Sequence, residues 1–284
     1  MIVDSHTHIF APEVISGKAR YLLEDPEFAD LYSNPSAKMA TAENLIDSMD
    51  NSGIDKSMVC GFNWTQQELC NESNDYILES MRRYPNRLFG LASLRPDAGD
   101  PALYNFEKCV KGGIKGIGEM RLPAACLDTS FDSVWTPLAK ILAERGLLWL
   151  FHSSEPVGHP YTGKGALTPQ VLYPFIKRYP EVKFVLAHWG GGMPFYTLMP
   201  EVKKALSNTW FDTAASSYLY DGTIYEQIIR ITGSEHILFG TDYPLLTQAR
   251  CIRDITELGL EPGDRLNIMG LNALKLLVIT DNGN

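Results

Sequence analysis

The chain has 284 residues, with 25 Lys and Arg against 34 Asp and Glu, for a formal charge of −9. That length suits one large barrel or two average domains. The composition, 45% hydrophobic and 21% charged, is ordinary for a globular protein. The acidic balance argues against nucleic acid or an anionic membrane as the main partner, and leaves a small-molecule substrate open.

Five cysteines (Cys60, Cys70, Cys109, Cys126 and Cys251) are odd in number and widely spaced, with no C-x-x-C. Reduced thiols in a cytoplasmic protein are expected, rather than a disulfide framework or a thiolate zinc cluster. The opening Met1-Ile2-Val3-Asp4-Ser5-His6 turns polar at once and does not read as a signal peptide. The longest apolar run, near Leu147–Phe151, is far too short to span a bilayer.

In chain order, eight short apolar segments have strand length and composition. They are Ile2–Ile9, Lys56–Phe62, Arg87–Leu94, Ile114–Met120, Leu147–Ser153, Lys183–Trp189, Trp210–Ala215 and His236–Asp242. Helical spacing fills the intervals. Val134, Leu138, Ile141 and Leu142 form one stripe that stops at Gly146. Thr168-Pro169 opens a helix through Val171, Leu172, Phe175 and Ile176, and Ile252, Ile255 and Leu258 precede Gly259. Proline after Arg83-Tyr84 and again after Arg178-Tyr179 ends a helix before the next strand. Strand then helix, eight times, predicts a single (β/α)8 TIM barrel over residues 1–284. A doubly wound sheet would show a Gly-rich phosphate turn after an early strand, and none occurs. Two longer insertions, Ala11–Ala40 and Glu155–Leu167, follow the first and fifth strands and would roof the active face.

His6-Thr7-His8 is the sharpest motif. Residues two apart on a strand share a face, so Asp4, His6 and His8 are expected to point to the barrel axis. Two adjacent imidazoles suit a divalent metal that shares their lone pairs. His152, His188, Asp242 and Glu119 close four later strands. Ionisable residues at the ends of buried strands are unexpected unless paired or metal-bound, and strand ends in this fold meet around one mouth.

At this point the sequence resembles the amidohydrolase superfamily. The similarity is greatest to the branch of aminocarboxymuconate-semialdehyde decarboxylases, resorcylate decarboxylases and dicarboxylate lactonases. The matching stretches are Val3–His8, Phe151-His152, Leu186–Gly191, Phe239–Pro244 and Asn272–Leu277, so the resemblance runs the length of the chain. It implies a metal surrounded by His6, His8, His152 and Asp242, with His188 beside it as acid, base or carbonyl polariser. Glu119 occupies the position where TatD-like nucleases and other binuclear relatives place a bridging carboxylate. It is expected either to bridge two metals or to bind substrate over one. One zinc-like ion is expected, with two as the alternative, and manganese or iron also fits the ligand set. The resemblance also implies a homodimer.

The first functional expectation is a metal-dependent hydrolase of a small organic substrate with an amide, ester or lactone bond. Metal-bound hydroxide would attack, Asp242 would move the proton and His188 would steady the oxyanion. The alternative is a non-oxidative decarboxylase of an aromatic or unsaturated acid. A TatD-like nuclease ranks lower, because the chain lacks a basic stripe for phosphates. Arg121 and Arg95 are candidates for a substrate carboxylate, against a rim salt bridge as the plainer reading of Arg121. Trp64 and Trp189, with Tyr243, are candidate pocket walls, against simple packing.

Overall fold

The structure is a computed structural model, and it describes residues 1–277. Eight parallel strands follow one another around a single sheet in the order β1 to β8. They are β1 Val3–His8, β2 Lys56–Cys60, β3 Leu88–Ala92, β4 Gly116–Met120, β5 Leu148–Phe151, β6 Lys183–Leu186, β7 Thr209–Asp212 and β8 Ile237–Leu238. Backbone hydrogen bonds from Ser5 to Phe239 (2.7 Å), from His8 to Tyr243 (2.7 Å) and from Asp242 to His6 (2.9 Å) join the first strand to the last. The expected (β/α)8 barrel is therefore present.

Three short helices fill the first insertion: α1 Pro12–Ser16, α2 Lys18–Glu24 and α3 Pro26–Tyr32. The outer layer then runs through α4 Ala42–Ser52, α5 Gln67–Arg83, α6 Asp100–Lys111, α7 Asp132–Arg145 and α8 Pro169–Arg178, with later helices at Ile224–Thr232 and Gln248–Glu257. The local signals act as expected. Thr41 caps α4 in a reciprocal box with Asn44. Gly146 ends α7 in the left-handed conformation that favours glycine. Met58, Leu91, Leu148, Leu150, Val185 and Leu238 make one buried cluster, closed by Ala273 and Leu276. Larger clusters lie between the strands and the outer helices. Among the described residues no helix is long and apolar enough to cross a membrane, and all five cysteines are unpaired.

Strand ends differ from expectation in ways that matter for the site. β1 shifts register against β2 between Asp4 and Thr7. Strict alternation therefore fails, and Asp4 does not join the histidines. Its carboxylate instead accepts from the Thr241 hydroxyl (2.7 Å), the Gln248 amide (2.8 Å) and the Thr241 backbone N–H (3.1 Å). β6 stops at Leu186, because His188 and Trp189 both take left-handed backbone angles with φ of 57°. β8 keeps only Ile237 and Leu238, since Asp242 also sits at positive φ (62°).

Candidate active site

Six side chains converge where the strands end. β1 carries His6 and His8, β4 carries Glu119, and His152 follows β5 directly. His188 lies just beyond β6 and Asp242 beyond β8. Nε2 of His6 is 3.1 Å from Nε2 of His8, and Nε2 of His188 is 3.2 Å from Nδ1 of His152. Glu119 stands between the two pairs. Its Oε1 is 3.0 Å from His152 Nδ1 and 3.3 Å from His188 Nε2. Its Oε2 is 3.5 Å from His8 Nε2 and 3.6 Å from His6 Nε2. Asp242 Oδ1 completes the first pair, 3.2 Å from His8 Nε2 and 3.8 Å from His6 Nε2.

Three of the remaining ring nitrogens are already engaged. His6 Nδ1 donates to Asp212 Oδ2 at 2.8 Å. His188 Nδ1 donates to the Ala214 carbonyl at 3.1 Å. His152 Nε2 lies 3.3 Å from Ser154 Oγ, which also accepts from the Gly165 backbone N–H at 2.8 Å. With Nδ1 of His6 and of His188 engaged, Nε2 of each ring and Nδ1 of His152 face Glu119. A buried nitrogen pair at 3.1 Å shares one proton at most, whereas a cation accepts both lone pairs. His6, His8 and Glu119 form one trio whose ligand atoms lie within 4.8 Å of one another, and Glu119, His152 and His188 form a second. Imidazole nitrogen with carboxylate oxygen is a donor set that suits a divalent transition ion.

Electrostatics reinforce the clustering. Burial works against charge on His6, yet Asp212 and then Glu119 hold its pKa well above the usual histidine range. Burial likewise opposes charge on His188, but Glu119 and Asp242 bring its pKa up to about 9. Glu119 is held well below the usual carboxylate range, because His6 and His152 outweigh its burial. Asp242 falls to about 2 against the same burial, through its hydrogen bond with His8 and the charges of His6 and His188.

Local backbone explains the placement. His188 and Trp189 are followed by three glycines, Gly190 to Gly192, all at positive φ. A Cβ on Gly191 would stand 2.4 Å from the Ser154 carbonyl oxygen, so glycine there lets the turn press against the segment after β5. The same turn sends the Trp189 indole away from the mouth. It is fully buried, packs edge-on to Tyr225 at 4.9 Å and donates to Ser216 Oγ. Trp189 is therefore a packing residue and not the expected pocket wall. Trp64 stacks on Phe28 (4.8 Å) within an aromatic cluster of the first insertion and is 2% exposed. Tyr243 donates to the Asn44 carbonyl.

Both arginines are paired with carboxylates of the chain. Arg121 pairs with Asp30 (3.2 Å) and Glu27 (3.5 Å), both on α3, which is the rim salt bridge. Arg95 is buried, pairs with Asp97 at 3.1 Å, and has no partner for Nη1 among the described residues.

Three contributors have no counterpart in the sequence reading. Asp212 ends β7, and its position in Trp210-Phe211-Asp212 is the same strand-end signal that marked the others. Ser154 lies two residues past His152. Tyr32, at the end of α3, stacks on Phe28 at 4.7 Å. Burial first, then the charges of Asp242 and Glu119, push its phenol pKa up, and the pairs from Arg121 to Glu27 and Asp30 tie α3 to the segment just after Glu119.

The barrel and its mouth of imidazoles and carboxylates define an enzyme of the amidohydrolase superfamily. The sequence profile of the family described as Amidohydrolase matches residues 3–279, and the chain belongs to that family. A curated relative is the 2-amino-3-carboxymuconate-6-semialdehyde decarboxylase of Dictyostelium discoideum. It is 22% identical over 263 residues, covering 76% of this chain and 68% of the relative. The 5-carboxyvanillate decarboxylase of Sphingomonas paucimobilis superposes with a TM-score of 0.78 at 16% identity, over 98% of this chain and 99% of that one. The 5-carboxyvanillate decarboxylase of Novosphingobium aromaticivorans, solved with manganese and 4-hydroxy-3-methoxy-5-nitrobenzoic acid, gives 0.75 at 15% identity, over 98% and 96%.

Proposed function

We propose that the protein is a metal-dependent, non-oxidative decarboxylase of a small aromatic or unsaturated carboxylic acid. The observation that carries this reading is a complete donor cluster in a chain whose similarity runs along 263 residues of a decarboxylase. It ranks decarboxylation above the hydrolysis expected first from the motifs. Hydrolysis of an amide, ester or lactone is the second reading, because the same cluster suits it.

His6, His8, His152 and Asp242 would hold the ion, with Glu119 in reach of both trios. One zinc-like ion is the working assignment, and Glu119, His152 and His188 are the residues that would take a second. When bound, the ion supplies positive charge that anchors the acid and withdraws electrons from it. The chain's own residues do the rest. His188, with Nδ1 committed to Ala214, holds a proton at Nε2 and faces the cluster. As the carbon–carbon bond breaks and carbon dioxide leaves, the electron pair stays on the ring or alkene carbon, which takes the His188 proton. Asp242, held as a carboxylate, keeps that imidazolium in place. Tyr32, near enough to Asp242 and Glu119 to feel their charges, would shield the carbon from water until the proton arrives.

The test is carbon dioxide release against acid release on a panel of carboxylated aromatics, unsaturated acids, esters and lactones. Carbon dioxide from an acid supports the reading. Hydrolysis without carbon dioxide from any acid would replace it with the second.

A further inference from the structure

Asp4 is a wholly buried carboxylate whose hydrogen bonds come from neutral donors. They are the Thr241 hydroxyl (2.7 Å), the Gln248 side-chain amide (2.8 Å) and the backbone N–H groups of Thr241 (3.1 Å) and His6 (3.3 Å). A buried carboxylate without a cation beside it is costly, and an apolar residue would fill the same place at less cost. The bonds themselves must therefore serve something. Two of them end on Thr241, the residue before Asp242.

The segment around Asp242 is not a regular strand. It runs beside β1, with Ser5 donating to the Phe239 carbonyl (2.7 Å), Asp242 to the His6 carbonyl (2.9 Å) and His8 to the Tyr243 carbonyl (2.7 Å). In between, the N–H groups of Gly240 and Thr241 take side-chain acceptors. Gly240 donates to the Thr213 hydroxyl at 3.0 Å, which donates back to the Gly240 carbonyl at 3.0 Å. Thr241 donates its N–H to Asp4 Oδ1 and its hydroxyl to Asp4 Oδ2. The same hydroxyl accepts the Tyr243 N–H at 3.1 Å. It therefore links Asp4 to both sides of Asp242. Gln248, at the start of the helix Gln248–Glu257, fixes the far end of the loop to the same carboxylate.

Asp242 sits between these ties with φ of 62°. That backbone disfavours a side chain and persists where the surroundings fix it. Its consequence is the approach of Asp242 Oδ1 to within 3.2 Å of His8 Nε2.

We infer that Asp4 is a positioning residue: through Thr241 it fixes the turn that presents Asp242 to the histidine cluster, and so tunes the affinity of the site for its ion. The effect on affinity rests on the reading of Asp242 as a metal ligand, whereas the hold on the turn rests on the bonds above.

Thr241→Val keeps the shape and removes the hydroxyl, and Thr241→Ser keeps the hydroxyl. Zinc is titrated into each full-length variant against a chromophoric chelator, alone and combined with Asp242→Ala. Thr241→Val is expected to weaken zinc binding roughly tenfold or more, with Thr241→Ser close to the natural chain. In the Asp242→Ala background the same Val substitution should change affinity by no more than about twofold, because the residue it positions is gone. A bond that only supports the fold would show no such dependence on Asp242. In a crystal of metal-free Thr241→Val, the approach of Asp242 to His8 should be lost. An intact approach in that crystal, a Thr241→Ser chain as weak as Thr241→Val, or an equal loss with and without Asp242 would each overturn the inference. Should Thr241→Val fail to fold, Asp4→Asn takes its place in the same comparison, and should Asp242→Ala bind no zinc, the contrast between Val and Ser decides. The two readings separate. Natural affinity in Asp242→Ala sinks the ligand reading alone if the crystal still shows the lost approach. A weakened Asp242→Ala beside an unaffected Thr241→Val sinks the positioning role alone.

Discussion

Asp212 accepts the Nδ1 proton of His6 at 2.8 Å, and both side chains are wholly buried. The other oxygen of Asp212 accepts the backbone N–H groups of His188 (2.9 Å) and Ala214 (3.0 Å). One carboxylate therefore orients a histidine of each trio, one through its ring and the other through its backbone. Asp212→Asn keeps the shape but presents an amide that can place a donor against Nδ1. Outer contacts of this kind typically contribute 10- to 100-fold to metal affinity. A loss of about that size is expected in a competition titration against a chromophoric chelator. Unchanged affinity would remove Asp212 from the account.

Ser154 does for His152 what Asp212 does for His6, but through a neutral hydroxyl. Ser154→Ala should weaken metal binding by roughly tenfold, at the low end of the same range. The melting temperature of the metal-free chain should move much less than that of the metal-loaded one. Equal shifts in the two forms would mean that Ser154 only packs.

The four strand-end positions were legible because an ionisable residue closing an apolar run conflicts with burial unless it has a job. His152 after Leu148–Phe151 and Glu119 within Gly116–Met120 are such conflicts, and both reach the cluster. Asp4 misled because alternation assumes an unbroken register, and β1 shifts between Asp4 and Thr7. Trp189 misled because two non-glycine residues in left-handed backbone are rare and leave no periodic trace. Tyr32 lies in an insertion whose path over the mouth depends on aromatic packing with Phe10, Phe28 and Phe62, contacts that no spacing rule encodes.

The metal-free chain should lose stability as the medium becomes alkaline. His188 titrates at about 9 against an ordinary value of 6.5, so the folded state binds its proton more tightly than the unfolded state. That contribution is complete below pH 6.5 and disappears as pH rises through about 9. Asp242, lowered from 3.8 to about 2, contributes above pH 3.8 and loses its effect as pH falls through about 2. Thermal melts of chelator-treated protein should therefore decline from pH 6.5 to 9.5. A melting temperature that rises across that range would contradict the assignment.

Metal binding should expel a proton from a ligand histidine. Asp212 and Glu119 hold the pKa of His6 well above the usual histidine range, so His6 gives up a proton to take the ion, whereas His188 keeps its own. Calorimetric titration of zinc in buffers of differing ionisation enthalpy should show at least one proton released per ion at pH 7, with affinity rising with pH. Zero release would mean that the ion does not use His6 Nε2.

His188→Ala separates holding the ion from using it. With His6, His8, His152 and Asp242 intact, the variant should retain about one ion per chain while its turnover falls by 10² or more, the usual contribution of a positioned proton donor. Loss of the ion from His188→Ala would instead make His188 a ligand.

The central claim is that carbon dioxide release depends on an ion seated between His6, His8 and their neighbours. Its most direct test is carbon dioxide evolution from a carboxylated aromatic or unsaturated acid while a divalent metal is titrated back into chelator-treated protein. The account predicts no carbon dioxide without metal and a rate that saturates near one equivalent per chain. Carbon dioxide release that is indifferent to metal, or a fully loaded chain that hydrolyses lactones or esters and releases none from any acid, would contradict it.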